Sequence, residues 1–422
     1  MFIPSCIWTC VLYIKRNQQA QGKFSKSRKI EELDLVGALE GLRIIEVSQV
    51  LAAPFCGYQF ALLGADVIKV ENPQTPDCAR GRGPVPALNA REVGLTYQVQ
   101  GANKRSLALD LTDPRGAAAL QKLVDTADVF IENYSTGTLD ALNLGYDTLR
   151  GINPRLIHCS MTGYGETGSK ARKGAYDNTI QAASGIISQS AGQKPGLSFV
   201  DYAAGYAAAF AIAAAVVQRQ RTGEGCHISV SMLEVAMSLM APEAAALQVA
   251  PAAPKREEAG IAAYETATGP LMLGAFRPAQ YRKLGRCLAK AGHSLPILDE
   301  IRDWPDVWAN SAVIRAMLQE IFRQRGAEEW VGMLDSADVP AERIVALGEA
   351  VASRQLAERG YFTVSPDDPS VRLPVAGYTM SRGGPDVTMA PPELGAHSQA
   401  VLLEAGLPGS EIDALIAAGV VR

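Results

Sequence analysis

From Leu42 onward the chain alternates short runs of branched apolar residues with longer stretches whose apolar positions fall three and four apart. LRIIEVS (42–48), ADVIKVE (65–71), LALDL (107–111), ADVFIEN (127–133) and RLIHCSMTGYG (155–165) read as buried strands. Between them, PFCGYQFALLG, RGAAALQKLVDTA and LDALNLGYDTLRGIN carry helical spacing, the first with Gly64 as its stop. Alternation of strand and helix predicts an α/β fold, a doubly wound parallel sheet covered on both faces. Such sheets bind ligands at the carboxyl ends of their strands. Here those ends are Gln49-Val50-Leu51-Ala52, Asn72, Glu132-Asn133-Tyr134 and Thr162-Gly163-Tyr164.

The pattern divides the chain further. Residues 35–225 form the first part of a large domain, in which the alanine-rich run Ala203–Val217 predicts a tightly packed, buried helix. Residues 226–255 read as a strand, a helix and then a proline-rich polar linker, PAAPKREEAG. Residues 256–345 read as a smaller α+β domain, with a strand near PLMLGAF and helices in AQYRKLGRCLAKAG, VIRAMLQEIFRQR and AEEWVGMLDSA. Residues 346–422 return to the large domain. Residues 1–34 stand apart as an extension expected to be disordered. Its apolar run Ile3–Ile14 precedes Lys15 and Arg16, the reverse of a secretory signal, and is too short to span a bilayer.

Composition narrows the function. At 422 residues two domains are expected, and 48% apolar with 20% charged residues is the balance of a soluble globular protein. A net charge of −4 gives no general attraction to nucleic acid or anionic membrane. Seven cysteines lie scattered with no CxxC pair, and four histidines are equally dispersed. Neither a disulfide framework nor a metal site is expected, and a reducing cytoplasm fits best. The segment after the first strand, SQVLAAP, lacks the GxGxxG of a dinucleotide site, and no GxxxxGK[ST] is present.

Several segments taken together resemble the family III CoA-transferases, the group that includes formyl-CoA transferase, carnitine CoA-transferase and the α-methylacyl-CoA racemases. The carriers are LEGLRIIEVSQVLAAPFCG (39–57), LLGADVIKVENP (62–73), NKRSLALDL (103–111), ADVFIENYSTGTLDALNLGYDTL (127–149) and NPRLIHCSMTGYGETG (153–168). AYDNTIQAASG (175–185), FVDYAAGYAAAFAIAAAVVQRQRTGEG (199–225) and APPELGAHSQAVLLEAGL (390–407) add to them. The resemblance is close over residues 39–249 and holds in outline beyond. It implies a Rossmann-like large domain built from both chain ends, a small domain between them, and two chains interlocked as a homodimer. It also implies coenzyme A as co-substrate, acyl-CoA and carboxylic acids as reactants, and no metal. Asp201, in FVDYAAG, matches the family's catalytic aspartate. The coenzyme would lie along Val50, Leu51 and Ala52 near its adenine, with Asn72 beside them and Leu109, Asn133 and Tyr134 farther along.

Asp201 also precedes an alanine-rich helix, where aspartate is a favoured N-cap. The two roles are compatible, because helix N-terminal amides keep a carboxylate ionised, as covalent carboxylate catalysis needs. Tyr176 reads as a core or interface tyrosine from its own surroundings. The resemblance makes it a site residue, at the position where the racemases carry a histidine base. A phenol, with a pKa near about 10, is poorly suited to that proton transfer. Glu265, in YETATG, resembles the racemases' glutamate, so an α-methylacyl-CoA racemase-like isomerase stands as the alternative. A non-catalytic CoA-binding protein is a third reading. Lys104, Arg105, Arg172 and Lys173 are the cations placed to meet CoA phosphates, or else solvated loop charges. Formyl-CoA transferase has an arginine on CoA at the position matching Ala141, and its glycine-rich active-site loop has no counterpart between Pro251 and Gly269. The first leaves Arg172 or Lys173 to compensate, or the phosphates to be held differently; the second speaks against oxalate and formate chemistry. His158 and Cys159 sit inside a strand-like run and read as structural.

Overall fold

A computed structural model describes residues 37–250 and 257–422; the expected N-terminal extension and most of the linker 251–256 lie outside the described residues. Six strands, β1 (Arg43–Val47), β2 (Asp66–Glu71), β3 (Lys104–Ala108), β4 (Val129–Glu132), β5 (Ile157–Thr162) and β6 (His227–Ser231), form one sheet. All five pairings are parallel, in the order β3-β2-β1-β4-β5-β6. This is the doubly wound order, and its direction reverses between β1 and β4.

The near-continuous apolar runs follow from burial on both faces. Successive side chains of a strand point to opposite faces. Ile44 therefore packs with Val67, Cys56, Phe60 and Ile212, while Ile45 packs with Ile68, Phe130, Leu120 and Val401. The second face is covered partly by the chain's end: helices Ser398–Glu404 and Gly409–Ala417 supply Val401, Leu402, Ile412 and Leu415 to that core. His397 and Ser398 hydrogen-bond to the backbone of β3, and Val421 pairs with Leu109.

The third strand differs from its expected limits of 107–111. It runs from Lys104 to Ala108, because Lys104 pairs in register with Val67 and the chain turns at Asp110, whose carboxylate accepts from Thr112 N. The single helix expected in LDALNLGYDTLRGIN is two, Thr138–Ala141 and Tyr146–Ile152, parted at Asn143 with φ +55°. The alanine-rich run lies in a helix from Phe199 to Thr222 that is buried along one side only. Ala204, Ala208, Ile212 and Ala215 face the core at helical spacing, whereas Tyr206, Phe210 and Val217 are exposed. The expectation of a fully buried helix is corrected accordingly. A separate core gathers Tyr264, Leu271, Tyr281, Leu318, Phe322 and Trp330 around an antiparallel sheet of β7 (Ile261–Thr266), β8 (Gly269–Gly274) and β9 (Ala341–Arg343). β10 (Phe362–Val364) and β11 (Arg372–Pro374) form a further hairpin-like pair.

Candidate active site

A cavity of about 520 Å³ opens at the carboxyl ends of β1, β4 and β5, where the strand order reverses. The side-chain amide of Asn133 spans that reversal: it accepts from Gln49 N at 2.9 Å and donates to Gln49 O at 2.8 Å. The loops after β1 and β4 are thereby joined. Val50, Leu51 and Ala52 line one side, Asn133 and Tyr134 the next, and Lys173, Tyr176 and Asp201 the far side. A second cavity of about 380 Å³ continues beyond Tyr134 across β2 and β3, lined by Asn72 and Leu109. The residues expected along the crevice thus divide between two cavities that share Tyr134.

Four expected cations fare differently. Lys173 lines the larger cavity, while Arg172 beside it is exposed and lines neither. The loop carrying both is pinned where Thr136 Oγ1 donates to Ala171 O. Lys104 and Arg105, read as a loop facing phosphate, are the first residues of β3, at the end of the strand away from the cavities. Lys104 is fully buried with Nζ 2.6 Å from Glu46 Oε2, and Arg105 bridges Asp66 and Glu404 at 2.7 and 2.8 Å. Protein carboxylates occupy both charges, which corrects the phosphate reading for this pair.

Asp201 is the third residue of its helix and not the N-cap, which is Ser198 without a side-chain bond. The helix end is satisfied instead from 23 residues upstream by Asp177, whose Oδ2 accepts from Val200 N at 2.9 Å and Asp201 N at 3.3 Å. Asp177 is itself buried, and its other oxygen accepts from Gln181 Nε2. The Asp201 carboxyl is consequently pushed up to about 7, first by burial and then by the negative charge of Asp177. The expected depression by helix amides is absent because Asp177 takes those amides. Ala204 and Gly205 face the core and not the cavity: a Cβ on Gly205 would lie 2.7 Å from Ala52 O, so the glycine permits close helix packing.

Tyr176 is 68% exposed at the start of the helix Asp177–Ser184, so the reading as a core residue does not hold within this chain. Glu265 lies exposed on β7 and lines neither cavity. Glu132, one of the strand-end residues the pattern picked out but without a role of its own, ends β4 and lines a small neighbouring cavity with His158 and His227. It is buried, accepts from Tyr134 N at 2.7 Å, and is pushed up to about 7, chiefly by burial. His158 and Cys159 are buried within β5. Among the described residues no cluster of histidine, cysteine and carboxylates is arranged to hold a metal ion.

Residues 39–398 match the family described as CoA-transferase family III. The chain is 33% identical to succinate–glutarate CoA-transferase of Agrobacterium fabrum over 87% of its own length and 95% of that protein's. It is 31% identical to the mouse succinyl-CoA:glutarate CoA-transferase, covering 94% of this chain and 93% of that one. It is also 29% identical to human α-methylacyl-CoA racemase, with 89% and 95% covered. Among solved structures, a CAIB/BAIF family protein from Brucella suis superposes with a TM-score of 0.73 at 29% identity, over 87% of this chain and 99% of that one. With a switch-point crevice, the strand order 3-2-1-4-5-6 and a match over most of its length, the chain belongs to CoA-transferase family III.

Proposed function

We propose that this enzyme moves coenzyme A from an acyl-CoA donor to a carboxylic acid acceptor through covalent intermediates on Asp201. The observation that carries the reading is a carboxyl group at the wall of the larger cavity that no lysine or arginine among the described residues pairs with. The Asp201 carboxylate attacks the thioester carbonyl; the C–S bond breaks, leaving a mixed anhydride and CoA thiolate. The thiolate attacks the aspartyl carbonyl and expels the donor carboxylate, giving an aspartyl-CoA thioester. The acceptor carboxylate then attacks that thioester, releasing thiolate and forming a second anhydride. Attack of the thiolate on the acceptor's acyl carbon yields the new acyl-CoA and restores the aspartate. No proton is consumed.

Proton transfer α to a thioester, the alternative chemistry, asks for bases on two sides of one carbon. The cavity lining offers Asp201 and the phenol of Tyr176, and no histidine. Transfer is therefore preferred, with succinate and glutarate, the acids named for the relatives, as the first substrates to assay. The division into a large domain from both chain ends and a small α+β domain belongs to the same proposal, as does the interlocked homodimer.

The test is trapping. Incubation with donor acyl-CoA followed by hydroxylamine or borohydride is expected to leave a modified Asp201 detectable by mass. Asp201→Ala is expected to abolish transfer while keeping CoA affinity within about threefold. Rapid exchange of the α-hydrogen of a 2-methylacyl-CoA into deuterated water, with no trapped species, would establish the isomerase instead.

A further inference from the structure

Val50 is the β-branched member of the six non-glycine residues with positive φ among the described residues, at φ +71°. A branched side chain in the left-handed region is strained and persists only where the surroundings hold it. Both backbone polar groups of Val50 are held by buried side chains. Its N–H donates to Asp77 Oδ1 at 3.0 Å, and its carbonyl accepts from Gln100 Nε2.

The two holders are themselves built in. Asp77 is 2% exposed and pairs through its other oxygen with Lys69 Nζ at 3.0 Å. Lys69 in turn donates to Ser48 O at 2.9 Å and lies 3.3 Å from Glu46. Asp77, Lys69, Glu46 and Lys104 form a buried quartet of two carboxylates and two ammonium groups behind the end of β1. Gln100 is 2% exposed, and its own Oε1 finds no partner. A buried amide that leaves one oxygen unsatisfied in order to donate to a strained residue is costly as plain packing. Val50 lines the larger cavity, so the strained residue forms part of that cavity's wall.

We propose that Asp77 and Gln100 are positioning residues that clamp Val50 in its left-handed conformation and thereby shape the β1 wall of the coenzyme cavity. The inference rests on the reading of that cavity as the CoA site. The clamp acts by fixing where the Val50 side chain and the peptides on either side point. The 49–52 segment is thus preorganised, and the cost of ordering it is met on folding and not on binding.

Gln100→Met is the direct test, because it removes the donor together with the orphaned oxygen at nearly constant volume. The full-length chain is compared with Gln100→Met, Val50→Gly and the double variant by calorimetry with free CoA, steady-state transfer and melting. Gln100→Met is expected to weaken CoA binding about tenfold, to raise KM for acyl-CoA to match, and to leave kcat within about twofold. Adding Val50→Gly is expected to restore affinity to within about threefold, because glycine takes positive φ without a clamp. Gln100→Ala repeats the comparison if the methionine variant does not fold. Unchanged affinity in either Gln100 variant, or a loss that Val50→Gly does not recover, would overturn the clamp. Absence of CoA binding by the parent protein would overturn the site reading and is told apart by that control.

Discussion

One oxygen of Asp177 accepts the backbone N–H groups of both Val200 and Asp201, so the residue that caps the helix also places a negative charge beside the carboxyl that the helix presents to the cavity. Capping stabilises the helix; the charge raises Asp201. A nucleophile held near neutrality is more basic, and hence more nucleophilic, than an ordinary aspartate, at the cost of being half protonated at pH 7.

Transfer is therefore expected to rise with pH through about 7 in kcat/KM, as Asp201 ionises in the free enzyme. Asp177→Asn keeps the shape and removes the charge, and is expected to move that limb to lower pH by about one unit. Initial rates across pH 5–9 for both proteins check it; coincident profiles would show that Asp177 exerts no electrostatic influence.

The same displacement appears in stability. Between the ordinary 3.8 and about 7, folded Asp201 keeps a proton that the unfolded chain has lost. Its stabilising contribution is complete below the unfolded value and falls away as pH rises through the folded one. Asp201→Asn, which never ionises, is expected to melt higher than the parent at pH 8, by roughly 2 °C, with the difference shrinking toward pH 5. Differential scanning calorimetry at both values decides; a gap that widens on acidification contradicts the assignment.

Gly205 tests the packing that places Asp201. A methyl there meets Ala52 O at 2.7 Å and Phe55 Cδ1 at 2.8 Å. Gly205→Ala is expected to cost about 1–3 kcal/mol by forcing the Phe199–Thr222 helix away from the Ala52–Leu62 helix. Gly151, in the helix Tyr146–Ile152, has nothing within 4 Å of the same methyl, and Gly151→Ala is expected to leave stability unchanged or slightly improved. Denaturant melts of the two variants provide the comparison.

The outer side of the Phe199–Thr222 helix exposes Phe210 at 79% and Val217 at 54%, and the Ala241–Val249 helix exposes Val249 at 87%. Apolar surface of this extent is expected to be covered by the second copy of a homodimer. Sedimentation at micromolar concentration is expected to give a dimer that Phe210→Glu weakens; a monomeric parent protein would contradict the proposal.

Periodicity alone carried the fold a long way. The branched runs around Ile44, Val67, Val129 and Ile157 are buried strands, and strand–helix alternation leaves a parallel sheet as the arrangement that buries both faces. The strand ends, and with them the crevice at Val50, Asn133 and Tyr134, follow from the same pattern, because ligand sites of such sheets lie at those ends. Charge was legible only as sequence. Whether Lys104 meets solvent, a phosphate or Glu46 depends on register and on which face its Cβ takes, and burial against a residue 58 positions away is invisible to local pattern. The state of Asp201 is the same kind of quantity. Its neighbours along the chain predict an ionised carboxylate at a helix end, but the amides that would ionise it are taken by Asp177 from 23 residues upstream. Electrostatics acts through space and not along the chain, so its sign at the site was decided by the tertiary structure.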